Sequence, residues 1–302
     1  GFGLANTVQS NAVSQVLETN FHVPTLYSGI LLSVLVGIVL LGGIKRIAEV
    51  AGKLVPFMAI IYFSATLAIL LLNVTELPAA IVFIVDSAFN GAAATGGFAG
   101  ATIMLALRMG VARGIFSNES GLGSAPIAHA AAETNSPVRQ GTIAMLGTFI
   151  DTLIICTMTG LVLVVTGVWD GEPQGAAMTL SAFKAELPFG DIILSICIVL
   201  FAFTTMLGWS YYGERCAEFL LGPKVIVPFR ILWVIGVFLG TQMSLDLVWK
   251  MSDALNGMMA IPNLIALILL APVVFKLTRE YFKDEQADGE IDNAELTKEN
   301  AG

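Results

Sequence analysis

Charge is what this sequence has least of. Asp, Glu, Lys and Arg together make up 13% of the 302 residues, against about 25% in a soluble domain. So large a deficit excludes an ordinary water-exposed surface and points to lipid as the main solvent. The net charge of −8 argues against nucleic acid as a partner. Histidine is nearly absent, with only His22 and His129. The three cysteines, Cys156, Cys197 and Cys216, form neither a CxxC pair nor a disulfide framework. The chain holds no Walker motif, no HExxH and no Rossmann glycine pattern, so no organic cofactor is expected. There is no signal peptide; the chain opens without Met on residues that already read as helix, so an upstream part is expected to be missing.

What is present is a series of long apolar runs. A bilayer crossing needs roughly 20 mostly apolar residues. Val23–Ile44, Leu54–Thr75, Ile192–Gly213 and Ala254–Phe275 carry no charge, and Ala79–Leu107, Thr142–Trp169 and Ile231–Val248 carry one aspartate each. With the opening segment Gly1–Leu17 the sequence predicts about eight membrane segments, an all-α polytopic membrane protein. Residues 1–282 form its transmembrane core, and residues 283–302, rich in Asp and Glu, are expected to be a disordered acidic tail. All fifteen basic residues except Lys184 and Lys250 fall in alternate loops and the tail. The positive-inside rule then places those loops and the C-terminus in the cytoplasm of a plasma (inner) membrane protein.

Several places inside the apolar runs are irregular. Asn90–Gly100 reads NGAAATGGFAG. Four glycines near mid-span suit either close helix packing or an unwound joint whose freed N–H and C=O groups bind carboxylates and cations. Asp151 lies deep in the fifth segment, beside Thr148 and Thr152. A carboxylate there marks an ion pathway by default, and neutral oxygens around it suit Na⁺; the alternative is a structural pairing with a neighbouring helix. Thr204, Thr205 and Trp209 sit together in the sixth segment, with Thr205 and Trp209 on one face. They offer hydroxyls and an aromatic wall for a small zwitterion, or, for Trp209 with Tyr211 and Tyr212, an interfacial belt. The opening helix carries Asn6, Thr7, Gln9, Ser10, Asn11 and Ser14. It is too polar for lipid and must face protein or a wet cavity, with Gln9 open to interhelical bonding or ligand binding. The stretch Gly110–Val138, including Phe116, Ser117, Asn118 and Glu119, is dense in Gly, Ser and Ala and reads as a packed loop and helix covering the inner mouth as a gate.

Four motifs together resemble a known family. They are GVARGIFSNESGLGSAPIAHAAAE (Gly110–Glu133), NGAAATGGFAG before it, FIDT (Phe149–Thr152) and GWSYYGE (Gly208–Glu214). The sequence resembles the alanine/glycine:cation symporter family from the opening helix to about Phe282. The resemblance implies a LeuT-like fold of two inverted five-helix repeats, and secondary transport of alanine or glycine coupled to Na⁺ or H⁺. The eight segments are in phase with helices three to ten of such a core, with the glycine-rich joint in the sixth. The first two core helices are lacking, so the chain is not expected to transport unaided. Membership carries Gln9, Thr205 and Trp209 over as substrate contacts, with further contacts around Gly96, Gly97 and Phe98. Asp151, Thr152 and Thr204 are the candidate Na⁺ ligands.

Two other functions fit parts of the sequence. A passive channel fits the hydropathy but not a broken helix with Asp151. An intramembrane serine hydrolase would pair Ser117 or Ser124 with His129, and needs the two within about 3 Å.

Overall fold

The computed structural model describes residues 5–89, 99–170 and 174–299, and these are helical almost throughout. In chain order the helices are α1 (Ala5–Phe21), α2 (Thr25–Leu41), α3 (Gly43–Leu72), α4 (Leu77–Phe89), α5 (Ala99–Asn118) and the short α6 (Ala125–His129). There follow α7 (Pro137–Thr148), a π-helical stretch Phe149–Cys156, α8 (Thr157–Val165), α9 (Ala176–Glu186), α10 (Gly190–Leu221), α11 (Ile226–Gln242) and α12 (Leu245–Glu299). In lipid the backbone has no water to bond, so helices satisfy it internally. Five of these helical stretches are long and apolar enough to cross a membrane: Gly43–Leu72, Pro137–Val165, Gly190–Leu221, Pro223–Gln242 and Leu245–Lys283. Thr25–Leu41 and Leu77–Ala88 are apolar but shorter. The protein is thus a multi-pass, all-helical membrane protein.

The side chains say the same. Ile265, Ile268, Leu269 and Phe275 stand exposed along α12, and Val34, Leu35 and Ile38 along α2. Apolar faces this continuous are what lipid covers.

Two buried clusters organise the bundle. In one, Trp233 and Val237 of α11 pack with Val36 of α2 and Met206 and Leu207 of α10. In the other, Tyr62 and Ile69 of α3, Val162 of α8, Phe183 of α9 and Leu194 and Cys197 of α10 meet. Helix α10 serves both.

The polar helix α1 is explained by its neighbours. Asn6, Thr7, Ser10, Asn11 and Ser14 are buried. Asn6 donates to the Trp233 carbonyl at 2.9 Å, and Asn11 to those of Gly240 and Met243 at 3.1 and 2.7 Å. These bonds cross from α1 to the α11 backbone, which approaches closely because Gly240 has no side chain. A Cβ there would stand 2.6 Å from Thr7 Cα. Small residues and interhelical amide bonds are the usual means of joining helices in lipid.

Three boundaries differ from the sequence reading. The run Ile231–Val248 is broken after Gln242 and restarts at Leu245 as α12. The stretch from Gly110, expected as loop, continues α5 to Asn118. The stretch from Lys283, expected to be disordered, continues α12 to Glu299. Ala, Glu, Gln and Lys are frequent there, and their helix propensity is high.

Candidate functional site

Helix α5 ends at Asn118, and the chain then turns tightly through Glu119–Ser124. Gly121 and Gly123 both have φ of +80°, and Glu119 itself has φ of +56°. Glycine adopts this region freely, but glutamate does so at a cost of about 1–3 kcal/mol. The Glu119 carboxylate accepts a hydrogen bond from Ser124 Oγ at 2.6 Å. A bond to a charged group is worth about 1.5–3 kcal/mol, enough to hold the strained residue in place. Burial pushes the Glu119 carboxyl above the usual carboxylate pKa, the Ser124 bond draws it back, and the nearby Asp151 charge adds to the rise.

The tetrapeptide Phe116–Glu119 reaches two helical stretches. The Phe116 ring meets Trp249 of α12 edge-on at 5.5 Å. Ser117 Oγ donates to Asp151 Oδ2 at 2.7 Å, and the same oxygen accepts from Thr152 Oγ1 at 3.2 Å. Asn118 Nδ2 donates to Thr152 Oγ1 at 3.2 Å.

Asp151 and Thr152 lie in the π-helical stretch Phe149–Cys156, near the middle of Pro137–Val165. A π turn bonds i to i+5 and is found often at functional sites. Thr157 Oγ1 follows that wider register, donating to the Thr152 carbonyl at 3.3 Å. Among the described residues no lysine or arginine pairs with Asp151. Its neighbours are neutral hydroxyls.

Trp209 is 4% exposed, with Tyr212 edge-on to it at 5.6 Å. It belongs to the wall of a cavity of about 480 Å³, together with Leu122, Gly123, Ser124, Tyr212, Cys216, Met259 and Asn263. So deeply buried a tryptophan is not an interfacial belt residue. Thr205 and Gln9 are half-buried and stand outside this lining. Thr204 Oγ1 lies 2.9 Å from the Leu200 carbonyl and 3.7 Å from Met58 Sδ; its hydroxyl is engaged there and not with Asp151. Gly96, Gly97, Phe98 and the proposed joint at Asn90–Gly97 lie outside the described residues.

Three further arrangements were not singled out from the sequence. Arg113 of α5 forms an ion pair with Asp253 of α12 and lies 4.0 Å over the Trp249 ring. Glu214 of α10 receives Arg230 of α11 through two bonds, at 2.6 and 3.0 Å. Ser124, read only as a hydrolase candidate, is 1% exposed and bonded to Glu119. The hydrolase pairing is not formed: Ser117 and Ser124 each donate to a carboxylate, and His129 Nδ1 is 2.7 Å from Gln140 Nε2.

The site thus joins three of the sequence motifs, GIFSNESGLGS, FIDT and GWSYYGE, in one cluster. The profile of the sodium:alanine symporter family matches residues 1–295. The chain belongs to the sodium:alanine symporter family. Its relatives are transporters and not enzymes. The "Sodium/alanine symporter AgcS" of Methanococcus maripaludis is 48% identical over 284 residues, which cover 93% of this chain and 62% of that protein. An uncharacterised transporter of Haemophilus influenzae is 50% identical over 285 residues, again 93% and 62%. The "Probable sodium/glutamine symporter GlnT" of Bacillus subtilis is 38% identical over 290 residues, 95% and 60%. The chain spans about three-fifths of the length of these relatives.

Proposed function

We propose that the protein moves a small neutral amino acid, alanine or glycine, across the plasma membrane in symport with Na⁺. The observation that carries this reading is Asp151: a carboxylate near the middle of an apolar helix, bonded by Ser117 and Thr152 and, among the described residues, by no lysine or arginine. A charge at that depth costs about 3 kcal/mol on insertion scales. The two hydroxyls donate to the carboxylate, and rotated about their C–O bonds they offer lone pairs to a hard cation such as Na⁺, which would gain an oxygen cage with the carboxylate. A carboxylate in this position can also carry H⁺, which is the second reading of the ion.

Trp209 supplies the apolar wall for the substrate's methyl group, with Gln9, Thr205 and the Gly96–Phe98 backbone as further contacts. Phe116–Glu119 acts as the gate. The architecture we propose is a LeuT-like inverted-repeat core with eight segments in this chain and a cytoplasmic C-terminus. The alternation of basic residues supports it. Arg113 bears no weight there, since it is paired inside the bundle.

Ligand stabilisation of the complete gene product in detergent tests the reading. A ligand that binds only the folded state raises the melting temperature by mass action. Alanine or glycine should raise it in Na⁺ and not when choline replaces Na⁺, with glutamine as comparator. No shift with any amino acid in either ion would overturn the proposal.

A further inference from the structure

An apolar groove between α2 and α11 ends in a rim of basic side chains, and we infer that it binds one anionic phospholipid, with an acyl chain in the groove and the phosphate at the rim. The inference is independent of the transport reading, and this face shares no residue with the Asp151 cluster.

The groove lies where the C-terminal half of α2 meets the N-terminal half of α11. Gly37, Leu40 and Leu41 form one side and Val227, Ile231 and Ile235 the other, around a space of about 280 Å³. Its floor comes from Gly37 and from Leu40, which is 2% exposed. Gly37 has no side chain, and a Cβ there would stand 3.5 Å from Val234 Cγ2, so the two helices come close. Leu41, Val227 and Ile231 are exposed and make the walls. Residues 227–235 rise about 12 Å along α11, enough for a good part of one acyl chain.

The rim is fixed by the join of α2 to α3. A Cβ on Gly43 would stand 3.6 Å from Arg230 Nη2, so this join sits beside the start of α11. Arg230 also lines the groove, and its Nε and Nη2 hold Glu214 while Nη1 stands outside that pair. Arg46 Nη1 donates to the Ile38 carbonyl at 3.3 Å, which folds its side chain back over the end of α2. Lys45 precedes it, and Lys224 lies three residues before Val227.

Charge decides the occupant. Glu214 and Glu218 are taken by Arg215 and Arg230. Lys45, Arg46 and Lys224 are exposed, and among the described residues none of them forms an ion pair. Three positive charges without a counter-charge thus stand beside an apolar groove. Basic pockets between membrane helices take anionic headgroups, and the guanidinium fork matches a phosphate. A zwitterionic lipid would fill the groove and leave the rim uncompensated.

The test is native mass spectrometry of the complete gene product, delipidated and then offered phosphatidylglycerol and phosphatidylcholine of identical dioleoyl chains. The protein should retain one phosphatidylglycerol about tenfold more tightly than phosphatidylcholine. The triple variant Lys45→Gln, Arg46→Gln, Lys224→Gln changes only exposed side chains and should bind both lipids alike. Ile231→Trp fills the groove and should lose the retained lipid of either kind; if it does not fold, Leu41→Trp on the opposite wall replaces it. Equal retention of the two lipids by the parent protein overturns the inference, as does a preference that survives in the triple variant. Undiminished phosphatidylglycerol in the groove-filling variant overturns it too, as does a groove-filling variant that changes only the oligomeric state, which would make this face a contact between copies of the chain.

Discussion

Ser117 Oγ stands 2.7 Å from Asp151 Oδ2, and this contact joins the C-terminal turn of α5 to the π-helical centre of Pro137–Val165. The two residues are 34 positions apart in sequence. Their meeting makes the inner-mouth motif and the mid-span aspartate a single site.

If that site holds the coupling ion, Asp151→Asn should raise the Na⁺ concentration for half-maximal alanine uptake at least tenfold and leave its pH dependence little changed. Were Asp151 an H⁺ carrier, the same change would abolish pH-driven uptake while exchange of bound substrate survived. Initial rates measured against Na⁺ at several pH values separate the two. A purely structural Asp151 would lower protein yield and melting temperature, with normal coupling in what remains.

Ser117→Ala should act in the same direction and more weakly, by about three- to tenfold in apparent Na⁺ affinity. It removes one neutral oxygen and leaves the charge. Sodium titration of alanine uptake checks it, and an unchanged titration would place the ion elsewhere.

Gly240→Val should lower stability by about 1–3 kcal/mol, the usual cost of overpacking. A Cβ at this position would stand 2.6 Å from Thr7 Cα and 2.9 Å from its carbonyl oxygen, both backbone atoms that cannot move independently of α1. Gly110→Ala is the control: a Cβ there meets nothing within 4 Å, and the higher helix propensity of alanine favours it. Melting curves in detergent should separate the two variants clearly.

Neither Ser117 nor Ser124 should react with a fluorophosphonate probe. Both hydroxyls donate to carboxylates, and His129 is turned to Gln140. Labelling that is lost in Ser124→Ala would contradict this.

The helical membrane class was legible because it rests on composition and run length, which no tertiary contact can override. The interior placement of α1 was legible for a related reason: seven amides and hydroxyls between Asn6 and Gln15 cannot face lipid. Asp151 stood out by its cost. What the sequence could not show was pairing. Nothing in SNES says that Ser117 bonds residue 151 and Asn118 residue 152, since spacing along the chain carries no information on distances across a bundle. Arg113 was counted only as a topological charge, although the tryptophan and aspartate four residues apart in α12 form a ready receptor for it. Thr204 and Thr205 are adjacent, and on a helix adjacent residues face about 100° apart. The structure assigns Thr204 to its own helix and Met58.

Coupling of alanine movement to the Na⁺ gradient is the property on which all of these expectations depend. The direct measurement is accumulation of labelled alanine by proteoliposomes holding the complete gene product, with an inward Na⁺ gradient and with that gradient collapsed. Coupled symport predicts alanine rising above its external concentration and then draining when the gradient is removed. Alanine that only equilibrates, at the same rate with or without Na⁺, would contradict it.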